Sequence, residues 1–437
     1  MRWGIRPVAS VVAVTLALAL VAGACGQGPA TSVVDADNTV ITFSIAVSDE
    51  ERPAIRELVR RFQDQTTAKV DLELLTRFRS QPGSRIDVVT TLDAEQLVTR
   101  LQDDVADGEP TVHLFAQDNL ALKDLVDDGL VEDLSAVEIP SAVVHSMIPP
   151  RFDGRRLFLP FRPNVRITYA HRRLLDRVGA DAPTTVDELA SVARRLKEET
   201  GRPAVTLSLA EGDPAAVTIS EWIVSHGGDP LVLNDEGSVR AFESLQRLWT
   251  EGLLARESLL AKFDTEVDNL STGRALVAQN WSFTSAVLAQ QGQLGDFEVY
   301  AGWSGPERPA HVIGGDVLGI PRGVSGKQKE VALALAAFLM SEEAQEVLVQ
   351  ANAWPSIRAD AYEEVPDEQR ETFAAIQEAL EDGWFRPVVS YWPEVTAAMN
   401  EAVDRILLRN EPVEPVLDQL HDRVAEAAHQ GGAAYPP

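Results

Sequence analysis

The sequence predicts an α/β fold, and three observations lead to that prediction. The 437-residue chain is 45% hydrophobic and 24% charged, so it can bury a large core and is not disordered overall. From residue 39 onwards, β-branched runs typical of strands alternate with amphipathic segments typical of helices. At roughly 100 to 200 residues per domain, this length favours two or three domains, or two lobes in one chain.

The first elements form a strand, a helix and a second strand. Residues 40–47 (VITFSIAV) are β-branched and aromatic, and apolar residues then recur at helical spacing from Ile55 to Phe62. This order predicts a parallel sheet, and ligands bind beyond the carboxyl ends of the strands in such sheets. Further elements are predicted as the strands 70–75 and 112–116 and the helix 93–105.

The rest of the chain is predicted to be mainly helical. Thr184 or Thr185, with Asp187 or Glu188, resembles a capping box that opens a helix ending near residue 199. Residues 328–340 (QKEVALALAAFLM) are almost wholly apolar but too short to span a bilayer, which predicts a buried helix. The remaining predicted helices are 238–252, 395–408 and 413–428.

Composition excludes several classes of function. There are 39 Lys and Arg residues against 67 Asp and Glu residues, and the net charge of −28 would repel nucleic acid and anionic lipid. The one cysteine, Cys25, excludes an intrachain disulfide, a thiolate zinc site and an iron–sulfur cluster. We therefore expect no nucleic-acid partner, no metal and no cofactor.

The N-terminus has the pattern of an export signal. Arg2 and Arg6 precede an uncharged run of about 15 residues, shorter than the roughly 20 that a spanning helix needs. Residues 22–25 (AGAC) resemble the lipobox of bacterial lipoproteins, which implies cleavage before Cys25 and lipid on its thiol. A plain hydrophobic tail is the competing interpretation. We expect a signal peptide at 1–24, a tether at 25–38 and a lipid-anchored protein on the extracytoplasmic membrane face.

Four motifs follow one another in a fixed order. They are residues 153–160 with 165–175 (DGRRLFLP, VRITYAHRRLL), 182–189 (APTTVDEL), 270–281 (LSTGRALVAQNW), and 314–320 with 337–345 (GGDVLGI, AFLMSEEAQ). Together they resemble the family 1 extracellular solute-binding proteins, the sugar-binding type that serves ABC importers. The resemblance extends from about residue 40 to 425.

The resemblance implies a two-lobed periplasmic-binding-protein-like fold with hinge crossovers and a ligand cleft between the lobes. By analogy, lobe one is 39–160 plus 306–353, and lobe two is 161–305 plus 354–430. It also implies a monomer that binds a sugar, expected to be a di- or oligosaccharide, by hinge closure and delivers it to an ABC permease. No catalytic activity is implied.

A sugar site needs aromatic rings for stacking beside polar groups that bond hydroxyls. Polar residues that follow strands, tryptophans near the family motifs, a glycine in a crossover and an arginine in a late loop meet this need. For each tryptophan, core packing is the competing interpretation, and for Asp49 it is helix capping. The predicted ligand-binding residues are Asp49, Glu50, Asp118, Asn119, Asn164, Trp222, Trp281, Gly315, Asp316, Trp354 and Arg386.

A local excess of arginine keeps a second ligand class open. Residues 151–177 contain eight arginines but only two acids, Asp153 and Asp176. Arg162 and Arg166 flank Asn164, and the guanidinium fork suits phosphate or carboxylate. A phosphorylated or anionic solute, such as a glycerophosphate, is therefore the alternative ligand.

Two other classes of protein compete with a solute-binding protein, namely an enzyme and a structural surface protein. The seven histidines show no HExxH spacing, and the sequence contains neither a G-x-S-x-G motif nor a P-loop, so an enzyme is disfavoured. A glycoside-acting enzyme stays an alternative, because 67 acidic residues provide many carboxylate pairs. A structural surface protein is the third class, and it would bind no small ligand.

Overall fold

The computed structural model describes most of the predicted mature chain. The predicted signal peptide, Cys25, the tether up to residue 37, Asp49 and Glu50 lie outside the described residues. Those described are 38–47, 51–76, 78–79, 87–88, 92–119, 122–352, 354–363, 365 and 367–436.

The strands belong mainly to one mixed sheet. Its order is β2-β1-β5-β10-β6-β8-β7, with β9 beside β6 and β11 beside β10, and β3 pairs with β4 separately. The bounds are β1 Val40–Val47, β2 Lys69–Thr76, β3 Phe78–Arg79, β4 Asp87–Val88, β5 Leu114–Asp118, β6 Leu159–His171, β7 Val205–Thr206, β8 Val277–Trp281, β9 Phe297–Tyr300, β10 His311–Gly319 and β11 Gly383–Trp384.

Helices cover the faces of this sheet. A six-residue π-helix, Val403–Leu408, continues α13. The α-helices are α1 Arg52–Gln65, α2 Leu92–Asp107, α3 Lys123–Asp127, α4 Arg172–Val178, α5 Val186–Thr200, α6 Asp213–Ser225, α7 Glu236–Thr250, α8 Phe263–Ser271, α9 Phe283–Gln290, α10 Gly326–Leu339, α11 Glu342–Asn352, α12 Arg370–Glu381, α13 Trp392–Ala402 and α14 Val413–Gln430. Among the described helices, none is both long and apolar enough to cross a membrane.

The α/β prediction is confirmed, and so is the capping box. Thr185 caps α5 by accepting a hydrogen bond from the Glu188 amide at 3.2 Å, and the Glu188 carboxylate accepts one from the Thr184 amide at 2.9 Å. The predicted strand 112–116 is displaced, since β5 begins only at Leu114. The amides of Thr111 and Val112 instead bond the Asp104 carboxylate, which holds them outside the ladder.

Strands β6 and β10 connect the two halves of the sheet, the first with β1, β2 and β5 and the second with β7, β8 and β9. Strand β1 is parallel to β2 and β5, while β10 runs antiparallel to both β5 and β6. The first half of β6 pairs with β10, and its second half, from Arg166, pairs with β8 and β9. Strand β6 therefore passes from one half of the sheet into the other.

Side chains on β6 alternate between an apolar and a polar face. Phe161, Val165, Ile167 and Tyr169 are wholly or almost wholly buried in the largest hydrophobic cluster. Because neighbouring side chains point to opposite faces of a strand, residues 162, 164 and 166 share the other face. We call it the polar face of β6, and it carries arginine, asparagine and arginine.

The segment between α11 and β11 contacts residues of the predicted first lobe. The Val144 amide donates to the Ile357 carbonyl at 2.9 Å, and the Ala359 amide donates to the Ala142 carbonyl at 3.2 Å. The Ser146 hydroxyl also donates to the carbonyl of Leu380. The predicted lobe boundaries stay a prediction, but these bonds tie residues 357–380 to residues 142–146.

Candidate functional site

The centre of the candidate site is the polar face of β6 together with the matching face of β10. Asn164 lies opposite Gly314, and Arg162 lies opposite Asp316. Asn164 is half-buried, and its side-chain oxygen accepts a hydrogen bond from the Ser282 hydroxyl at 2.7 Å. A carboxamide thus lies in the middle of the crossing strands, and its side-chain nitrogen has no hydrogen bond to any other described residue.

Trp281 lies against the glycine opposite Asn164. An added Cβ on Gly314 would come within 2.8 Å of the Trp281 ring, so only glycine permits this contact. The ring of Phe263 meets Trp281 edge-on at 5.5 Å. Trp281 is only 6% exposed and shares a small cluster with Val312 and the partly buried Trp384.

Arg162 lies at one end of the polar face of β6, where its side chain contacts several other elements. Its side chain is 1% exposed, its Nε donates to the Asp316 carboxylate at 3.0 Å, and Nη2 donates to the Ala46 carbonyl at 3.2 Å. Nη1 lies 3.5 Å from the Glu51 carboxylate. The guanidinium carbon lies 4.2 Å from the centre of the Trp354 ring. Arg162 therefore joins β1, α1, β10 and Trp354.

Arg166 lies at the other end of the polar face of β6 and makes similar contacts. Its Nη1 donates to the Glu221 carboxylate at 2.7 Å, and Nη2 donates to the Gln279 carbonyl at 3.1 Å. The other Glu221 oxygen accepts a bond from the Val312 amide at 2.8 Å. The guanidinium carbon lies 5.9 Å from the centre of the Phe263 ring. Burial lowers the pKa of Arg166 and raises the pKa of Glu221 to about 7.

These contacts remove the basis on which an anionic ligand was considered. An anionic ligand at this position requires the guanidinium groups of Arg162 and Arg166 to be free to bind it. Each is instead buried against a carboxylate, Asp316 for the first and Glu221 for the second. A buried charge that is already paired and hydrogen-bonded has little to gain from a second anion.

Asp118 and Asn119 reach the same crossing from β5. Asp118 is the β5 partner of Asp316, so the end of this strand adjoins β10. The Asn119 amide group donates to the Ile313 carbonyl at 2.9 Å. Its side-chain oxygen is buried and has no hydrogen-bond partner among the described residues. The structure thus places Gly315 and Asp316 on β10 and brings Asp118, Asn119, Asn164 and Trp281 into contact with that strand.

Arg386 occupies a less compensated environment. It is 6% exposed, its ion-pair partner among the described residues is Asp213 at 3.4 Å, and the Trp392 ring lies 5.3 Å from its guanidinium carbon. Its Nε is buried without a partner in the described part of the chain. Burial lowers the Arg386 pKa, while the charges of Asp213 and Asp118 raise it. Residues 385–388, Ile148 and residues 150–152 line a cavity of about 340 Å³.

Two predicted ligand residues have clear structural roles, and their ligand roles stay predictions. Trp222 is 2% exposed in the second hydrophobic cluster and stacks on His226 at 5.9 Å. Gly315 has φ +89°, and a Cβ there would lie 2.1 Å from the Arg162 carbonyl. The glycine is needed because two strands approach closely.

Several residues of the site were not predicted, among them Ser282, Asp213 and Glu221. The signal for Glu221 was a single acid in the otherwise uncharged run Pro214–Ser225, since charged residues are rarely buried without a partner. Asp213 and Ser282 gave no comparable signal. Within the described residues, no group of three His, Cys, Asp or Glu side chains could hold a metal ion.

The comparisons with known proteins agree with this architecture. The family model for bacterial extracellular solute-binding proteins matches residues 73–375, well over half of the chain. The chain belongs to this family. An extracytoplasmic location and a transport role without catalysis are general properties of such solute-binding proteins.

Solved structures show the two-lobed fold. The MalE of Xanthomonas citri superimposes with a TM-score of 0.74 at 17% identity, covering 90% of this chain and 98% of that one. The maltose-bound MalE3 of T. maritima gives 0.69 at 20%, covering 89% and 99%. The cyclic alpha-maltosyl-1,6-maltose binding protein of Arthrobacter globiformis gives 0.73 at 16%, covering 90% and 100%. At these identities the likeness shows the periplasmic-binding-protein fold.

Proposed function

We propose that this solute-binding protein binds a di- or oligosaccharide between its lobes and delivers it to an ABC permease. The observation that carries the proposal is Asn164, a half-buried carboxamide between two arginines that each stack on an aromatic ring. Sugars present hydroxyls for such amides and apolar ring faces for such aromatics. The names of the similar structures, which include maltose and maltosyl-maltose binders, support this ligand class.

The proposed ligand contacts come from both halves of the sheet. Asn164 and the acids Asp118 and Asp316 would bond hydroxyl groups, and Trp354 and Trp281 would stack on sugar rings. Because Trp281 is 6% exposed, contact with a sugar requires the halves to move apart first. Asn119 and Arg386 are also proposed ligand contacts. Asp49 and Glu50 are proposed as well, because the adjacent Glu51 lies 3.5 Å from Arg162.

The proposed mechanism is hinged closure without chemical change. Sugar binds more tightly to the closed form and shifts the equilibrium towards it, and the closed form docks on the permease. The lobes follow the predicted division at residues 160/161 and 305/306. The bonds between residues 357–380 and residues 142–146 favour moving the last boundary from 353 to about 382.

One observation favours a second ligand class. The guanidinium of Arg386 is almost wholly buried, while Asp213, its ion-pair partner among the described residues, lies at 3.4 Å and is largely exposed. A phosphate or carboxylate on the ligand would compensate this charge better than a hydroxyl. A phosphorylated or otherwise anionic sugar is therefore the alternative substrate.

A thermal-shift panel of mono- and disaccharides, maltodextrins and glycerol phosphates tests the ligand class. A ligand at 100 times its dissociation constant should stabilise the protein by about 2.7 kcal/mol. Asn164→Ala and Trp281→Ala should lose the shift, whereas the control Trp249→Ala, on α7, should keep it. If only the phosphates produce a shift, the alternative ligand is correct. If glycosides are hydrolysed, the protein is an enzyme and the proposal is wrong.

The proposed lipid anchor has a separate test. Cells that express the wild-type chain should incorporate labelled palmitate into the protein and retain it in the membrane fraction. Cys25→Ala should lose the label and appear in soluble fractions. A Cys25→Ala protein that stays in the membrane would contradict the anchor. Light scattering of the mature chain should give a monomer.

A further inference from the structure

The two arginines on the polar face of β6 have equivalent environments on opposite sides of Asn164. Each guanidinium is buried, bonds one carboxylate, donates to one backbone carbonyl and lies over one aromatic ring. For Arg162 these are Asp316, Ala46 and Trp354. For Arg166 they are Glu221, Gln279 and Phe263. Each arginine thus binds β6 to a different set of elements.

Arg162 connects only to the half of the sheet that contains β1. Its partners lie at the end of β1, at the start of α1, on β10 and at Trp354. Arg166 connects β6 to α6, β8 and α8, in the other half. Among the described residues, β10 contacts both sets: Asp316 bonds Arg162 directly, and the Val312 amide bonds Glu221, the partner of Arg166.

The hydrogen-bonded pairing of β6 is weakest between Arg162 and Arg166. Pro163 lacks an amide hydrogen, so it removes a donor from the ladder of a central strand. The residues opposite Pro163 and Asn164 are Gly315 and Gly314, which have no side chains to pack across the pair. Three residues of β6, 163–165, therefore separate two tightly held segments.

We infer that Arg162 and Arg166 are positioning residues, each of which fixes one wall of the cleft to β6. Arg162 fixes the wall that contains β1, α1 and Trp354, and Arg166 fixes the wall that contains α6, α8 and β8 with Trp281. The two walls then move as separate bodies about residues 163–165. The inference deepens the proposed function, since the walls carry Trp354 and Trp281. Neither arginine is assigned a direct contact with ligand. Loss of one arginine should loosen its own wall and leave the opposite wall in place.

The test uses the full mature chain labelled with 5-fluorotryptophan and no sugar. The fluorine resonances of Trp354 and Trp281 are assigned with Trp354→Phe and Trp281→Phe. Arg162→Met should move the Trp354 resonance by more than its line width and leave that of Trp281 unchanged. Arg166→Met should do the reverse, through Phe263 and β8. The exposed Arg151→Met is the matched control and should move neither.

Arginine-to-lysine variants keep the test decisive if a methionine variant does not fold. Lysine retains the charge but lacks the planar fork, so Arg162→Lys should still move Trp354 and Arg166→Lys should still move Trp281. Equal movement of both resonances in any single variant, or movement of neither, would overturn the inference. Because no ligand is added, a failure here is distinct from a failure to bind sugar.

Discussion

Glu266 offers the sharpest test of the interior of the second half of the sheet. This side chain on α8 is 0% exposed, and its oxygens accept hydrogen bonds from the Thr206 hydroxyl and, at 3.4 Å, from the Asn269 amide. Burial raises the pKa of Glu266 from 4.5 to about 7, against the lowering effects of Thr206, Asn269 and Arg166. The folded state therefore holds this proton more tightly than the unfolded chain does.

The sign of the pH dependence follows directly. Below pH 4.5 the carboxyl group is protonated in both states, so its contribution to stability is fully present. Between pH 4.5 and about 7 the unfolded chain loses the proton while the folded protein keeps it, and stability falls. At 1.36 kcal/mol per pH unit, this interval corresponds to a loss of at most about 3 kcal/mol.

Glu266→Gln removes this titration while keeping the size and hydrogen bonding of the side chain. Urea unfolding should show that the variant gains about 2 to 3 kcal/mol over the wild type between pH 5 and pH 8. Glu257→Gln, at an exposed position nearby in the chain, should differ from the wild type by less than about 0.5 kcal/mol at both values. If the Glu266→Gln difference is the same at both pH values, the carboxyl group is not buried as described.

Three further substitutions test individual contacts. Gly315→Ala should destabilise the protein by about 3 kcal/mol in urea unfolding, because its φ is +89° and the methyl group would meet the Arg162 carbonyl; an unchanged midpoint would contradict the close approach. Thr185→Ala should cost about 1 kcal/mol by removing the cap of α5, and Thr67→Ala, outside the helices, is its control. Trp222→Ala should cost about 3 to 5 kcal/mol while leaving a sugar-induced thermal shift in place, whereas loss of that shift would return Trp222 to the ligand site.

Local patterns in the sequence were sufficient for much of the fold. The run Val40–Val47 was predicted with its observed bounds, because β-branched residues and a following capping segment define such a strand without help from distant residues. The cap at Thr185 was equally local, since donor and acceptor are three residues apart. The alternation along β6 was also available and would have separated Asn164 from the core residues beside it.

The partners of the two arginines could not be read from local pattern. Arg162 and Asp316 are 154 residues apart, and Arg166 and Glu221 are 55 apart. An unpaired arginine and a buried, paired arginine look the same in sequence, although one can bind an anion and the other cannot. The surroundings of Trp222 were hidden for the same reason, since α6 turns that ring towards His226 and the second hydrophobic cluster.

The pairing of these arginines also determines which ligand property the site can select. The chain has a net charge of −28, yet the charges at the centre of its site are opposed pairs, Arg162 with Asp316 and Arg166 with Glu221. A centre whose arginines are already paired discriminates by hydrogen-bond geometry and ring stacking, which suits a neutral sugar. Arg386 stands apart from this arrangement, because its ion-pair partner in the described part of the chain, Asp213, is more distant, at 3.4 Å, and largely exposed. Any preference for an anionic group must therefore arise at Arg386, and Arg386→Gln should remove that preference while leaving neutral sugars bound.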